Sequence, residues 1–174
     1  MRVSDPQSLI PNPQIMTRLS GHLGIIAVGK IKEEHWRAAQ AEYMKRLSRY
    51  TTPKVVEVKD VVGRSIPDDV AMQKEGEQLL QSADGYQRRI LLTPTGKLMT
   101  SEALARFLRK EVQDYGRIAF LIGGPIGFSP EVVAQADGEI SLSPLTFTHE
   151  MARVLLLEQL YRACTILAGE KYHK

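Results

Sequence analysis

The sequence predicts an α/β domain: a mainly parallel sheet with helices on both faces. Apolar runs of strand length recur at residues 23–29, 55–58, 89–92, 117–122 and 140–142. Between them, apolar residues return every three or four positions, as on one face of a helix. The first run, Leu23-Gly24-Ile25-Ile26-Ala27-Val28-Gly29, is apolar throughout, the pattern of a strand covered on both sides and so of a sheet between helical layers.

After the first strand, Trp36, Ala39, Gln40, Tyr43, Met44 and Leu47 mark the inner face of a helix over residues 33–50, with basic residues on the other side. Pro53 restarts the chain into strand two, and a loop at Gly63 and Arg64 leads to a helix over 68–82. Gly76 costs that helix about 1 kcal/mol relative to Ala, so either a close packing contact or a bend is expected there. Strand three ends at Thr93-Pro94-Thr95-Gly96-Lys97, and Thr100 or Ser101 caps the helix carrying Leu104, Phe107, Leu108 and Val112. Strand four runs into Gly123-Gly124-Pro125-Ile126-Gly127-Phe128, where Ser129 as cap and Pro130 at the first helical position start a short helix. Strand five, an apolar loop at 142–147 and a long helix over 149–167 complete the order.

Residues 1–21 carry Pro6, Pro11 and Pro13 and lack periodicity, so a mobile extension is expected before a single domain over 22–174. A start codon upstream of Met16 explains the extension equally well, and the segment does not fit a secretory signal. The chain's 23 Lys+Arg and 20 Asp+Glu give a net charge of +3, so any contact with nucleic acid runs through a local patch. Cys164 is the sole cysteine, which excludes an intrachain disulfide, fits a reducing cytoplasm and suits a buried small hydrophobe better than a reactive thiol. No apolar run approaches bilayer length, so a soluble protein without a membrane partner is expected. His22, His35, His149 and His173 show no ligand spacing, and no metal is expected. Val28-Gly29-Lys30 carries no glycine fingerprint into the following helix, which disfavours a dinucleotide-dependent oxidoreductase.

Ligands of such sheets lie beyond the carboxyl ends of the strands, so the loops after strands three, four and five are the candidate site. The glycines at 123, 124 and 127 fit neither common phosphate motif, and by themselves indicate a tight turn needing positive φ. The 142–147 loop holds Leu142, Leu145 and Phe147 with few charges. Either it packs beneath the last helix, or it grips a flat heterocycle whose edge is read by backbone groups.

Several linked segments then add a resemblance. Leu121 to Gly127, Leu142 to His149, Arg153 to Ala163 and the terminal Tyr172-His173-Lys174 resemble the ribosomal RNA large-subunit methyltransferase H family. Upstream, Ala27-Val28-Gly29-Lys30, Tyr43 with Lys45-Arg46, and Lys74-Glu75-Gly76-Glu77 follow it in order, so the resemblance covers roughly residues 23–174. It implies the SPOUT fold, whose C-terminal segment is threaded into a trefoil knot. It implies methylation of N3 of a pseudouridine in 23S ribosomal RNA on assembled ribosomes. The donor it implies is S-adenosylmethionine, held by Leu92, Gly124, Leu142, Ser143, Pro144, Leu145, Thr146 and Phe147. It also implies a homodimer whose partner completes each site, with Met151, Val154, Leu155 and Leu160 as candidates for an apolar interface.

The implied chemistry needs a nitrogen anion to attack a sulfonium methyl, so that opposite charges cancel. A water-poor site that aligns the atoms and offers a base or cation favours it. His149 and Arg153, four residues apart at the start of the last helix, share one face beside the apolar loop. Their alternative roles are a capping histidine and a solvated arginine. Tyr172, His173 and Lys174 would otherwise form a frayed terminus. The resemblance implies stacking or hydrogen bonding by Tyr172 and action of His173 on the base or its phosphate. Lys174 is then the RNA contact, standing where the family commonly has Arg and giving up bidentate phosphate binding. A SPOUT enzyme with another ribosomal or transfer RNA target keeps the fold and donor; a non-enzymatic RNA-binding protein would not need the apolar loop.

Overall fold

A computed structural model describes residues 18–63 and 65–173. Its strands are β1 (His22–Val28), β2 (Thr52–Val58), β3 (Arg88–Leu98), β4 (Arg117–Ile122) and β5 (Gly138–Ser141). Its helices are α1 (Glu34–Leu47), α2 (Asp68–Ser82), α3 (Ser101–Tyr115), α4 (Pro130–Ala134) and α5 (His149–Leu167). One sheet has the order β2-β1-β4-β3-β5, and each pairing is parallel.

The two-residue period of a strand sorts the core into two layers. Leu23, Ile25 and Ala27 of β1, with Ile118, Phe120 and Ile122 of β4, join a core with Leu47, Leu108, Leu156, Leu157 and Leu160 from α1, α3 and α5. Ile26 and Val28, with Ala119 and Leu121, join Leu79 of α2 and Val132 of α4 on the opposite side. Burial of each such side chain contributes about 1.5–3 kcal/mol, which explains the unbroken apolar run in β1. Pro53 is tolerated because β2 is an edge strand, where its missing N–H breaks no central ladder.

The caps follow local chemistry: Thr100 accepts from the Ala103 N–H at 3.2 Å, Ser129 from Val132 at 3.4 Å and Thr148 from Met151 at 3.3 Å. Helix α1 ends at Leu47 rather than at Tyr50, as the Ser48 hydroxyl bonds back to the Lys45 carbonyl at 2.7 Å and Tyr50 turns into the core. Strand β3 runs on to Leu98 because Leu92 and Lys97 both pair with Ile140, so the 92–97 segment flanks β5 twice.

The expected extension overlaps the domain at its end: Leu19 is buried and its N–H donates to the Tyr50 carbonyl at 2.7 Å, while residues 1–17 lie outside the described residues. Two of the four interface candidates are core instead, since Val154 and Leu160 are buried by the chain's own sheet and helices; Met151 and Leu155 are half-buried. Cys164 lies in the same core, its thiol pushed up to about 12 by burial.

Of the two expectations for Gly76, close packing holds: α2 is continuous, and a Cβ at Gly76 would collide with the Ser129 hydroxyl and stand 3.0 Å from Val132 Cγ2. Gly76 thereby seats α4, and with it the end of the glycine loop. In an exposed helix Gly→Ala stabilises by about 1 kcal/mol, whereas overpacking costs about 1–3 kcal/mol. Gly76→Ala is therefore expected to lower the urea unfolding midpoint; a rise would show that Ser129 yields freely.

Candidate functional site

At the carboxyl ends of β4 and β5, beside residues 91–95 of β3, lies a cleft of about 890 Å³. Leu92, Gly124, Leu142, Ser143, Leu145, Thr146 and Phe147 all line it, and Pro144 among the expected binding residues does not. The apolar loop divides its side chains: Leu142 and Phe147 are half-buried, Leu142 against the core, whereas Leu145 is 71 % exposed. The packing alternative therefore accounts for one end of the loop and leaves Leu145 uncovered over the cleft.

Ser141 holds two of the loops together, its hydroxyl lying 3.1 Å from the Pro94 carbonyl and 2.9 Å from that of Ser143. Ser143 in turn accepts from the Leu145 N–H at 3.1 Å, and the Thr93 hydroxyl donates to Glu139 at 3.2 Å. In the glycine loop only Gly127, at φ +87°, needs positive φ. Gly123 and Gly124 are needed for space: a Cβ at Gly123 would stand 3.2 Å from the Gly127 carbonyl oxygen, and one at Gly124 2.5 Å from Glu75 Oε2. The tight-turn expectation thus accounts for one glycine of three.

His149 begins α5 at the cleft wall, its Nε2 3.4 Å from the Lys30 carbonyl oxygen. A Cβ at Gly29 would stand 3.0 Å from the same ring nitrogen, so the glycine admits the imidazole over the end of β1. Arg153, one turn on, is neither solvated nor in the cleft: it is 0 % exposed. Its Nη1 donates to Glu57 Oε1 at 2.6 Å and its Nη2 to the Gly29 carbonyl at 2.7 Å, while Nε has no partner. It braces the end of β1, against which the His149 ring lies. Glu150 reinforces the join by accepting the Lys32 N–H, a bond that holds its carboxyl below the usual range.

Tyr172 and His173 are brought together with each other but not with this chain's cleft. The Tyr172 hydroxyl donates to Glu158 at 3.1 Å, and burial, followed by hydrogen bonds with Tyr43 and Glu158, pushes the phenol above its ordinary range. His173 Nε2 lies 2.8 Å from Glu102, whose carboxyl is lowered to about 2 by its own backbone N–H, then by His173 and Thr100. Lys174 lies outside the described residues.

A family model described as predicted SPOUT methyltransferase matches residues 22–173. The ribosomal RNA large subunit methyltransferase H of Halothermothrix orenii is 44 % identical over 160 residues, covering 87 % of this chain and 99 % of its own. The chain belongs to this family. The large subunit methyltransferase H of Symbiobacterium thermophilum is 41 % identical over 86 % of this chain and 98 % of that protein. A probable methyltransferase of Bordetella pertussis shares the fold at a TM-score of 0.55 and 14 % identity, covering 86 % of this chain and 99 % of that one.

Glu57, Glu75 and Ser141 escaped the sequence reading. A glutamate inside Val56-Glu57-Val58 interrupts an apolar strand, and that interruption was the available signal. Breaking a buried ion pair costs about 3–5 kcal/mol, discounted here because Glu57 is 29 % exposed. Arg153→Met is expected to lower unfolding free energy by about 3 kcal/mol. Arg153→Lys should recover little of it, since an ammonium lacks the forked donors that reach Glu57 and Gly29 together. Full recovery by lysine in denaturant titrations would reduce the contact to a point charge.

Proposed function

We propose that this chain transfers a methyl group from S-adenosylmethionine to N3 of a pseudouridine in 23S ribosomal RNA, acting in the cytoplasm as a homodimer on assembled ribosomes. The observation that carries this reading is the cleft itself. It sits at the carboxyl ends of parallel strands, with an uncovered apolar wall and the 142–147 loop and Gly124 on its surface. Those features fit a flat heterocycle with a polar edge. Leu92, Leu142, Leu145 and Phe147 would hold its faces, and the backbone at Gly124 and 142–147 its edge. The bound donor supplies an electrophilic methyl on a sulfonium.

This chain's part is to orient, to exclude water and to manage charge. His149 offers a ring nitrogen at the cleft wall, held by Gly29, Lys30 and, through them, Arg153. Arg153 is a positioning residue in this reading, since its guanidinium reaches neither donor nor base. Tyr172 and His173 dock outside their own cleft on α3 and α5, which suits a tail that serves the partner's site. A second cavity of about 270 Å³ at Met99, Leu142, Phe147 and Leu155, with Leu98 57 % exposed nearby in sequence, offers the apolar surface a second copy would cover. A non-enzymatic RNA-binding protein would leave the apolar cleft without a purpose.

Ribosomes lacking the modification, incubated with labelled S-adenosylmethionine, should acquire one methyl group on a pseudouridine of large-subunit RNA, located by mass spectrometry. Donor binding without transfer to ribosomes would overturn the substrate assignment and keep the methyltransferase. His149→Ala should lower the single-turnover rate by about 10²–10⁴-fold if the ring moves a proton. Leu145→Asp should weaken donor binding by roughly tenfold or more, seen by calorimetry, as a charge replaces apolar cover.

A further inference from the structure

Glu75 of α2 is 1 % exposed, directly beneath the cleft. Its Oε1 accepts the backbone N–H groups of Val61 at 2.9 Å and Val62 at 3.2 Å, in the loop after β2. Its Oε2 has no hydrogen-bond partner. That oxygen lies under Gly124, where an added Cβ would come within 2.5 Å of it and 3.3 Å of Val28 Cγ1. Gly124 forms part of the cleft surface. A buried polar atom without a partner is costly and is retained where it has work to do.

We propose that Glu75 is a positioning residue for methyl transfer: its carboxyl ties α2 to the loop after β2, packs beneath Gly124 and so fixes the floor of the cleft under the methyl donor. The proposal rests on the reading of this cleft as the donor site. Loss of the carboxyl frees the Val61 and Val62 N–H groups and leaves a void beneath Gly124.

The charge state of Glu75 bears on the chemistry above it. Burial raises its carboxyl above the ordinary glutamate range, against the two backbone N–H bonds that lower it, and Asp60 raises it further by repulsion and by a side-chain hydrogen bond. Asp60 is the titratable side chain acting on it from the loop, where its Oδ1 accepts the Val62 N–H at 3.1 Å; β1 presents Val28 and the glycine loop presents Gly124. A neutral carboxyl suits a reaction in which a nitrogen anion approaches a sulfonium. A fixed negative charge beneath the floor would stabilise the cation before transfer and oppose the incoming anion. The folded protein holds this proton more tightly than the unfolded chain. An ionised carboxylate there favours the sulfonium, so donor binding tightens as pH rises through the raised pKa while approach of the anion is opposed.

The test is calorimetric titration of the full-length protein with S-adenosylmethionine across a pH series, for the wild type, Glu75→Gln and Glu75→Ala. Glu75→Gln should bind like the wild type at low pH and lose the tightening at high pH. Glu75→Ala should weaken binding by roughly tenfold at every pH. A purely structural role would shift thermal stability and leave the pH profile of Glu75→Gln equal to that of the wild type. Should Glu75→Ala not fold, carbon-13 titration of the Glu75 carboxyl in the wild type decides alongside the Gln variant, an ordinary glutamate pKa overturning the proposal. No binding by the wild type would overturn the reading of the cleft and this proposal together. Normal wild-type binding with a pH profile unchanged in Glu75→Gln would overturn the role of Glu75 alone.

Discussion

A guanidinium with no solvent exposure must find its partners inside the protein, because leaving so large a charge unpaired there costs several kcal/mol. Arg153 finds Glu57 at the end of β2 and the Gly29 carbonyl at the end of β1, and these two bonds fix where α5 meets the sheet. The start of α5 then has little freedom. His149 falls over Gly29 and Lys30, Glu150 reaches the Lys32 N–H, and the 142–147 loop must end where Thr148 caps the helix. The Arg153 Nε is left without a partner at that junction.

The cleft inherits this order from both sides. From one side, α5 delivers the loop that precedes it; from the other, the parallel sheet delivers three strand ends side by side. Ser141 then links the β3 and β5 loops through the Pro94 and Ser143 carbonyls. Small residues set the remaining spacing. Gly76 lets α4 approach α2, Gly124 lets the glycine loop close over Glu75, and Gly96 passes the Ile140 backbone with 2.6 Å between its would-be Cβ and the carbonyl carbon. Close packing transmits such contacts, since an interior at crystal-like density has no slack in which to absorb a displaced loop.

The tail follows a different logic. Tyr172 and His173 are held by Glu158 and Glu102, hydrogen-bonded partners on α5 and α3 that lie outside the cleft. Arg162 also reaches Glu158, at 2.6 Å, so one carboxylate gathers both the helix and the tail. The terminus is docked rather than frayed, and its two candidate functional side chains are presented as a pair.

Much of this was legible in the residues alone. Two-residue and 3.6-residue periods, proline positions and cap residues depend on chain neighbours, so the order of strands and helices, both-face coverage and the limits of α2, β4 and α5 could be read directly. The binding loops were legible for a related reason: glycines and apolar side chains at strand ends violate what a surface loop needs. Register, depth and partnership were not legible, because they depend on residues far apart in sequence. Arg153 was expected beside the cleft, with a solvated arginine as the alternative, and Glu57, 96 residues away, instead encloses it. Gly124 looked like a turn residue until Glu75 occupied the space beneath it. The sequence by itself determined the elements and the loops that face a ligand, through local sterics and hydrophobic pattern. Only the tertiary structure decided which charges are buried and what each glycine makes room for, since burial is a property of the assembled layers.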